Sequence, residues 1–166
     1  MFYELCVLLI FPFCLIFAGI SDALSFTIPN KISAILVLAF FLIVPFSGLG
    51  LDVIGAHVLV GFIALLFGFI LFAYGYLGGG DVKIIAAAGL WLGVEQIGSF
   101  LIFMALFGGL LSLIIYYLRK TPLPACLAGN RWLLNLQSGE AAVPYGIAIG
   151  LAGLYVYPYS HWLGFA

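Results

Sequence analysis

Two aspartates stand where a sequence this apolar has least reason to keep them. Asp81 follows a glycine run in Tyr76-Leu77-Gly78-Gly79-Gly80-Asp81-Val82-Lys83, between two strongly apolar stretches. Asp22 ends the first apolar run, in Ile20-Ser21-Asp22-Ala23-Leu24. Only 7% of the residues are charged and 66% are hydrophobic. In a bilayer an Asp at mid-helix costs roughly 2.5–3.5 kcal/mol on insertion scales, so a retained carboxylate is a candidate for chemistry. Two carboxylates brought together cannot both ionise easily and come to share a proton. The ionised member can then take a proton from water while the protonated member hydrogen-bonds a carbonyl oxygen, which is how an acid pair hydrolyses a peptide bond. Glycines at 78, 79 and 80 leave no side chain beside Asp81, which would let an extended peptide backbone approach it.

Each acid also has a plainer reading. Asp22 could terminate its helix, and Asp81 could cap a helix that starts at Val82. The glycine run with Lys83 resembles a phosphate loop only faintly, because no Gly-Lys-Ser/Thr follows it. His57, His161, Asp52 and Glu95 read as packing, interfacial or loop residues.

The elements that must position these acids are membrane helices. With 166 residues, 16 Phe, 9 Tyr and so few charges, the composition lies far from that of soluble domains, where charged residues approach a quarter of the total. It predicts an all-α, polytopic integral membrane protein, folded as a single domain over residues 1–166. A net charge of -1 carries no basic footprint for nucleic acid. Cys6, Cys14 and Cys126 show no CxxC spacing and read as buried small hydrophobes, with no metal site expected. The first residues, Met1-Phe2-Tyr3-Glu4, have one acid and no cation, unlike the start of a cleavable signal peptide, so Phe2–Ile20 is expected to be the first span.

Spans need about 20 apolar residues. Phe2–Ile20, Lys31–Phe46, Ala56–Leu77, Ile97–Leu118 and Val143–Trp162 meet or approach this. Pro12 is tolerable inside the first, and Tyr155, Tyr157, Tyr159 and Trp162 suit an interfacial belt. Asn30 is placed to cap the second span. Val82–Val94 is only about 13 residues, roughly 20 Å of helix, and is bounded by Glu95-Gln96. If it crosses, there are about six helices, and Lys31, Lys83, Arg119, Lys120 and Arg131 fall on one face, as the positive-inside rule prefers. That arrangement places both termini outside, with Asp22, Asp81 and a polar loop from Arg119 to Ala142 in the cytoplasm. The basic loop could touch anionic lipid head groups.

Three segments together resemble one family. Gly78-Gly79-Gly80-Asp81 is similar to the GxGD signature of intramembrane aspartyl proteases, and its extension through Val82-Lys83 resembles the form found in type IV prepilin peptidases. Asp22 followed by Ile28-Pro29-Asn30-Lys31 resembles that family's first acidic motif, and Val143-Pro144-Tyr145-Gly146-Ile147-Ala148 its C-terminal Pro-Tyr-Gly motif. The resemblance implies that Asp22 and Asp81 are the catalytic pair and that a prepilin leader is cut just after a glycine at the cytoplasmic edge of its apolar helix. It further implies that Gly78 and Gly80 support Asp81, and that Pro29, Asn30, Pro144 and Tyr145 shape the substrate groove. No metal or organic cofactor is implied. Larger family members carry an extra cytoplasmic region, often with CxxC pairs, associated with N-methylation; the short Ser21–Asn30 loop has no room for one. The chain therefore resembles the small peptidase-only type of Flp/Tad pilus assembly in the bacterial inner membrane, with archaeal preflagellin peptidases as relatives. Two other readings use the same acids: a small ion- or proton-coupled transporter, and a noncatalytic pilus-assembly subunit.

Overall fold

The computed structural model describes residues 2–121, 130–139 and 142–163, and among these no strand occurs. The first helix, α1 (Phe2–Ser25), runs through Pro12 and continues past Asp22, so that Asp22 lies on its last turn. The chain leaves the helix at Phe26, whose φ of 54° is left-handed. Ile28 and Pro29 are extended, and α2 (Asn30–Ile43) follows with Pro29 as its N-cap. Asn30 is thus the first helical residue rather than the cap, because Pro29, extended at φ -60° and ψ 132°, takes that position. A 3₁₀ turn at Val44–Phe46, set by Pro45, ends this arm.

The next helix, α3 (Leu51–Ala73), starts earlier than hydropathy suggests and takes Asp52 into its first turn, where a negative charge faces the helix dipole favourably. A tight turn through Gly75 leads to α4 (Gly79–Lys120), a run of 42 residues broken at Gly93, where φ 63° and ψ -169° leave the helical region. Only glycine adopts such values without strain. The break reverses the chain. Ile85 before it and Leu101 and Met104 after it line one groove against α3, which a straight helix could not allow. The discontinuity expected at Glu95-Gln96 therefore falls at Gly93, since the backbone needs a residue without Cβ there. The His57 ring packs on Gly93 at this break, and its Nδ1 lies 2.9 Å from the Leu90 carbonyl oxygen.

Arg119 and Lys120 belong to the end of α4, and the polar segment beyond contains α5 (Arg131–Ser138), so the Arg119–Ala142 stretch is not wholly loop. Cys126 lies outside the described residues. The last helix is α6 (Gly146–Val156), followed by a 3₁₀ turn at Tyr157–Tyr159.

Helices pack closely through small residues, as apolar helices in lipid must. Gly61 sits on Ala86 and Leu90, and Gly68 on Val82, so α3 and the first arm of α4 run antiparallel. Gly150 and Gly153 let α6 approach Leu15 of α1. At the end away from the acids, Trp91 is fully buried among Phe11, Phe40, Tyr157 and Trp162. Their polar atoms find partners: Trp91 Nε1 donates to Leu36 O (2.9 Å) and Tyr157 Oη to Val7 O (2.7 Å). Of the expected aromatic belt, Tyr155 and Tyr159 are exposed, but Tyr157 and Trp162 are core residues.

The outside of the bundle is apolar. Phe13, Phe17, Leu38, Phe62, Phe67, Ile102 and Leu106 are each about 60% exposed or more, far beyond the patches a water-facing surface carries. Among the described residues three helices are long and apolar enough to cross a membrane, beginning at Glu4, Leu51 and Gly79.

Candidate active site

The fold brings Asp22 and Asp81 together from α1 and α4, close enough for their charges to interact. Asp22 is buried and Asp81 half-buried. Each accepts a backbone N–H at the start of a helix. Gly146 N–H, at the first residue of α6, donates to Asp22 Oδ2 at 2.6 Å. Gly78 N–H donates to Asp81 Oδ2 at 3.3 Å. The helix starts at Gly79 and not at Val82, so Asp81 is not its N-cap but lies in its first turn and reaches back to the N–H of the capping residue. Two helix N-termini thus point at one carboxylate pair, and such termini favour negative charge. Capping and chemistry are compatible here, because one carboxylate oxygen of each acid remains beyond these bonds.

Ile28 is the wedge between the two halves. A Cβ on Gly80 would lie 3.1 Å from Ile28 Cβ, and one on Gly146 would lie 3.0 Å from Ile28 Cδ1 and 2.7 Å from Asp22 Cβ. Glycine at 80 and 146 is therefore what allows α4, α6 and the α1–α2 connection to close on the acids. Beside Gly79 the space holds the Phe72 ring, at 3.4 Å from an added Cβ.

The other sequence-predicted residues gather at the same end. Pro29 and Asn30 open α2, and Asn30 Oδ1 accepts from Lys83 Nζ at 2.8 Å, joining the second and fourth helices two residues from Asp81. Pro144 is buried in the turn before α6. Tyr145 lays its ring on Gly108 of the second arm, where a Cβ would meet the ring at 2.5 Å. This seats the turn that presents Gly146 N–H to Asp22. His57, His161 and Glu95 lie at the opposite end, where His161 Nδ1 and Glu95 Oε2 are 3.1 Å apart.

Gly146, Ile28, Gly108 and Trp132 are absent from the sequence-derived candidates. Gly146 and Ile28 lie within motifs that point to them, whereas Gly108 and Trp132 carry no signal in their spacing. Trp132 Nε1 donates to Ala23 O at 2.8 Å across 109 positions of sequence.

The fold and site define an all-helical bundle with an apolar exterior and a carboxylate pair held at one end. The chain belongs to the type IV leader peptidase family, whose sequence profile matches residues 9–113 and so includes both Asp22 and Asp81. Membership makes it a peptidase of the prepilin-processing kind. The Val143–Ala148 segment lies outside the matched stretch. Comparison with curated proteins and with solved structures gave no significant match.

Proposed function

We propose that this peptidase is an integral membrane aspartic endopeptidase that removes the leader from Flp-like prepilins at the cytoplasmic face, without N-methylation. The ionised acid takes a proton from water as the water oxygen attacks the scissile carbonyl carbon. The protonated acid hydrogen-bonds the carbonyl oxygen and stabilises the tetrahedral intermediate. Collapse breaks the C–N bond, the leaving amine collects a proton from the acid pair, and the two products are a carboxylate and an amine. The scheme uses Asp22 and Asp81 alone, without metal or organic cofactor. Gly78 and Gly80 support Asp81, the first through its N–H and the second by leaving room for Ile28, and Pro29, Asn30, Pro144 and Tyr145 shape the groove around the pair.

The observation that carries this reading is the meeting of Asp22 and Asp81, each anchored through one oxygen by a backbone N–H. The fold-back at Gly93 supports six passes, with Lys31, Lys83, Arg119 and Lys120 at the acid end, which the positive-inside rule assigns to the cytoplasm. The test is cleavage of a synthetic leader-plus-helix substrate, followed by mass, with purified protein in liposomes. Wild type should cut after glycine. Asp22→Asn and Asp81→Asn should each lose at least about 10²-fold, the usual range for a lost acid or base, while staying folded. Asparagine can still accept from Gly146 and Gly78 N–H, so the substitutions separate chemistry from capping. Undiminished cleavage by both variants would sink the acid-pair mechanism.

A further inference from the structure

The last turn of α1 carries Asp22 and cannot complete its own hydrogen bonds. Phe26 N–H reaches Asp22 O at 2.8 Å, but at Phe26 the backbone turns left-handed, and Thr27, which would continue the ladder to Ala23 O, lies beyond the turn. The Ala23 carbonyl takes the Trp132 indole N–H instead. The Trp132 ring also stacks on Phe26, with centroids 5.9 Å apart and planes 16° apart. One side chain from α5 therefore holds both the residue after Asp22 and the left-handed residue that ends the helix.

The support behind Trp132 is firm. Asn130 Oδ1 caps α5 by accepting from Trp132 N–H at 3.0 Å and Leu133 N–H at 3.3 Å. Leu136 is buried, and its carbonyl accepts from Arg119 Nε at 3.0 Å. Gln137 Nε2 donates to Thr121 O at 2.6 Å. The short helix is thus braced on the end of α4 and presses on the end of α1.

We propose that Trp132 is a positioning residue of the reaction: its N–H on Ala23 O and its ring on Phe26 keep the last turn of α1 in the rotation that aims Asp22 at Asp81. This rests on the acid-pair reading above. A helix turns about 100° per residue, so even partial unwinding of that turn swings the carboxylate away, and misplacement by about 1 Å can cost on the order of 10²-fold in rate.

Two arms test it. In the first, Trp132→Phe keeps a ring for Phe26 and removes only the N–H. It should lower kcat about 3- to 10-fold, the size of one hydrogen bond, with KM unchanged. Trp132→Ala should lose more, and Leu134→Ala, on the exposed side of the same helix, should leave both constants at wild-type values. In the second arm, Asp22→Cys and Asp81→Cys are combined with serine at Cys6, Cys14 and Cys126, and cross-linking yield is compared with and without Trp132→Phe. The yield should fall when the indole is absent. Unchanged kcat and unchanged cross-linking overturn the proposal, as does a raised KM at constant kcat, which makes Trp132 a substrate contact. A wild type that cuts nothing counts against the peptidase mechanism, while the cross-linking arm still decides whether Trp132 places Asp22.

Discussion

Asp22 is the more constrained of the two acids. Its carboxyl group is buried, and the hydrogen bond it accepts from Gly146 N–H contributes about 0.5–1.5 kcal/mol when the acid is neutral and about 1.5–3 kcal/mol when it is ionised. Gly146 provides that bond and has no room for a side chain. Gly146→Ala would put a methyl 2.7 Å from Asp22 Cβ and 2.9 Å from its Oδ2, so the acid or α6 must move. We expect cleavage by this variant to fall at least about 10-fold, given the rate cost of small displacements, and a Michaelis–Menten comparison with wild type checks it. Gly108→Ala meets only the far end of the Tyr145 ring and should cost less. The acid-pair mechanism also needs one carboxyl protonated and one ionised. Cleavage plotted against pH should therefore be bell-shaped, failing in acid where the base is protonated and in alkali where the proton donor is gone. A monotonic profile argues that a single ionisation governs the reaction.

Among the elements, the hairpin within α4 does most to place the acids. Asp81 begins its first arm, and the second arm returns to put Gly108 under Tyr145. The reversal places one residue, Gly93, outside the helical region and sets the His57 ring against it, with His57 Nδ1 hydrogen-bonded to the Leu90 carbonyl. Alanine at 93 would be strained in φ and would meet the His57 ring at 2.6 Å. Gly93→Ala should destabilise the protein by roughly 2–4 kcal/mol, read as a lower unfolding midpoint in detergent. His57→Ala leaves the Leu90 carbonyl without its imidazole partner and should cost about 1–3 kcal/mol on the same assay. Equal midpoints for all three proteins would show that the reversal does not rely on these contacts.

For the whole molecule, the apolar exterior and the gathering of charges at the ends describe how the bundle meets its surroundings. Lys31, Lys83, Arg119 and Lys120 share the end that holds Asp22 and Asp81, while Asp52 and Glu95 share the other with both histidines. If each arm of α4 crosses the bilayer, single cysteines at Glu95 and Lys120 should react with a membrane-impermeant thiol reagent from opposite faces. The experiment uses protein with Cys6, Cys14 and Cys126 replaced, in oriented vesicles. Labelling of both positions from the same face means that the pair of arms re-enters instead of crossing.

Much of this was already legible in the chain. Composition together with the long unbroken apolar runs determines an apolar helical bundle, because only helices and closed barrels satisfy their backbone in hydrocarbon and a barrel needs short segments of alternating polarity. The cost of burying charge singles out Asp22 and Asp81 before any coordinates, and the motif around each names the family to which the profile assigns the chain. Periodicity and hydropathy could not place the helix break at Gly93 instead of Glu95-Gln96, since both lie in one apolar run and only the required backbone angles distinguish them. Nor could they separate Tyr157 and Trp162 from Tyr155 and Tyr159, which have the same local character but face opposite sides of the terminal turn. The contacts that aim the acids, Gly146 to Asp22 and Trp132 to Ala23, join residues 124 and 109 positions apart. Tertiary structure alone decides such pairs, because they exist only once several helices have packed and each has left an unsatisfied terminus for another to meet.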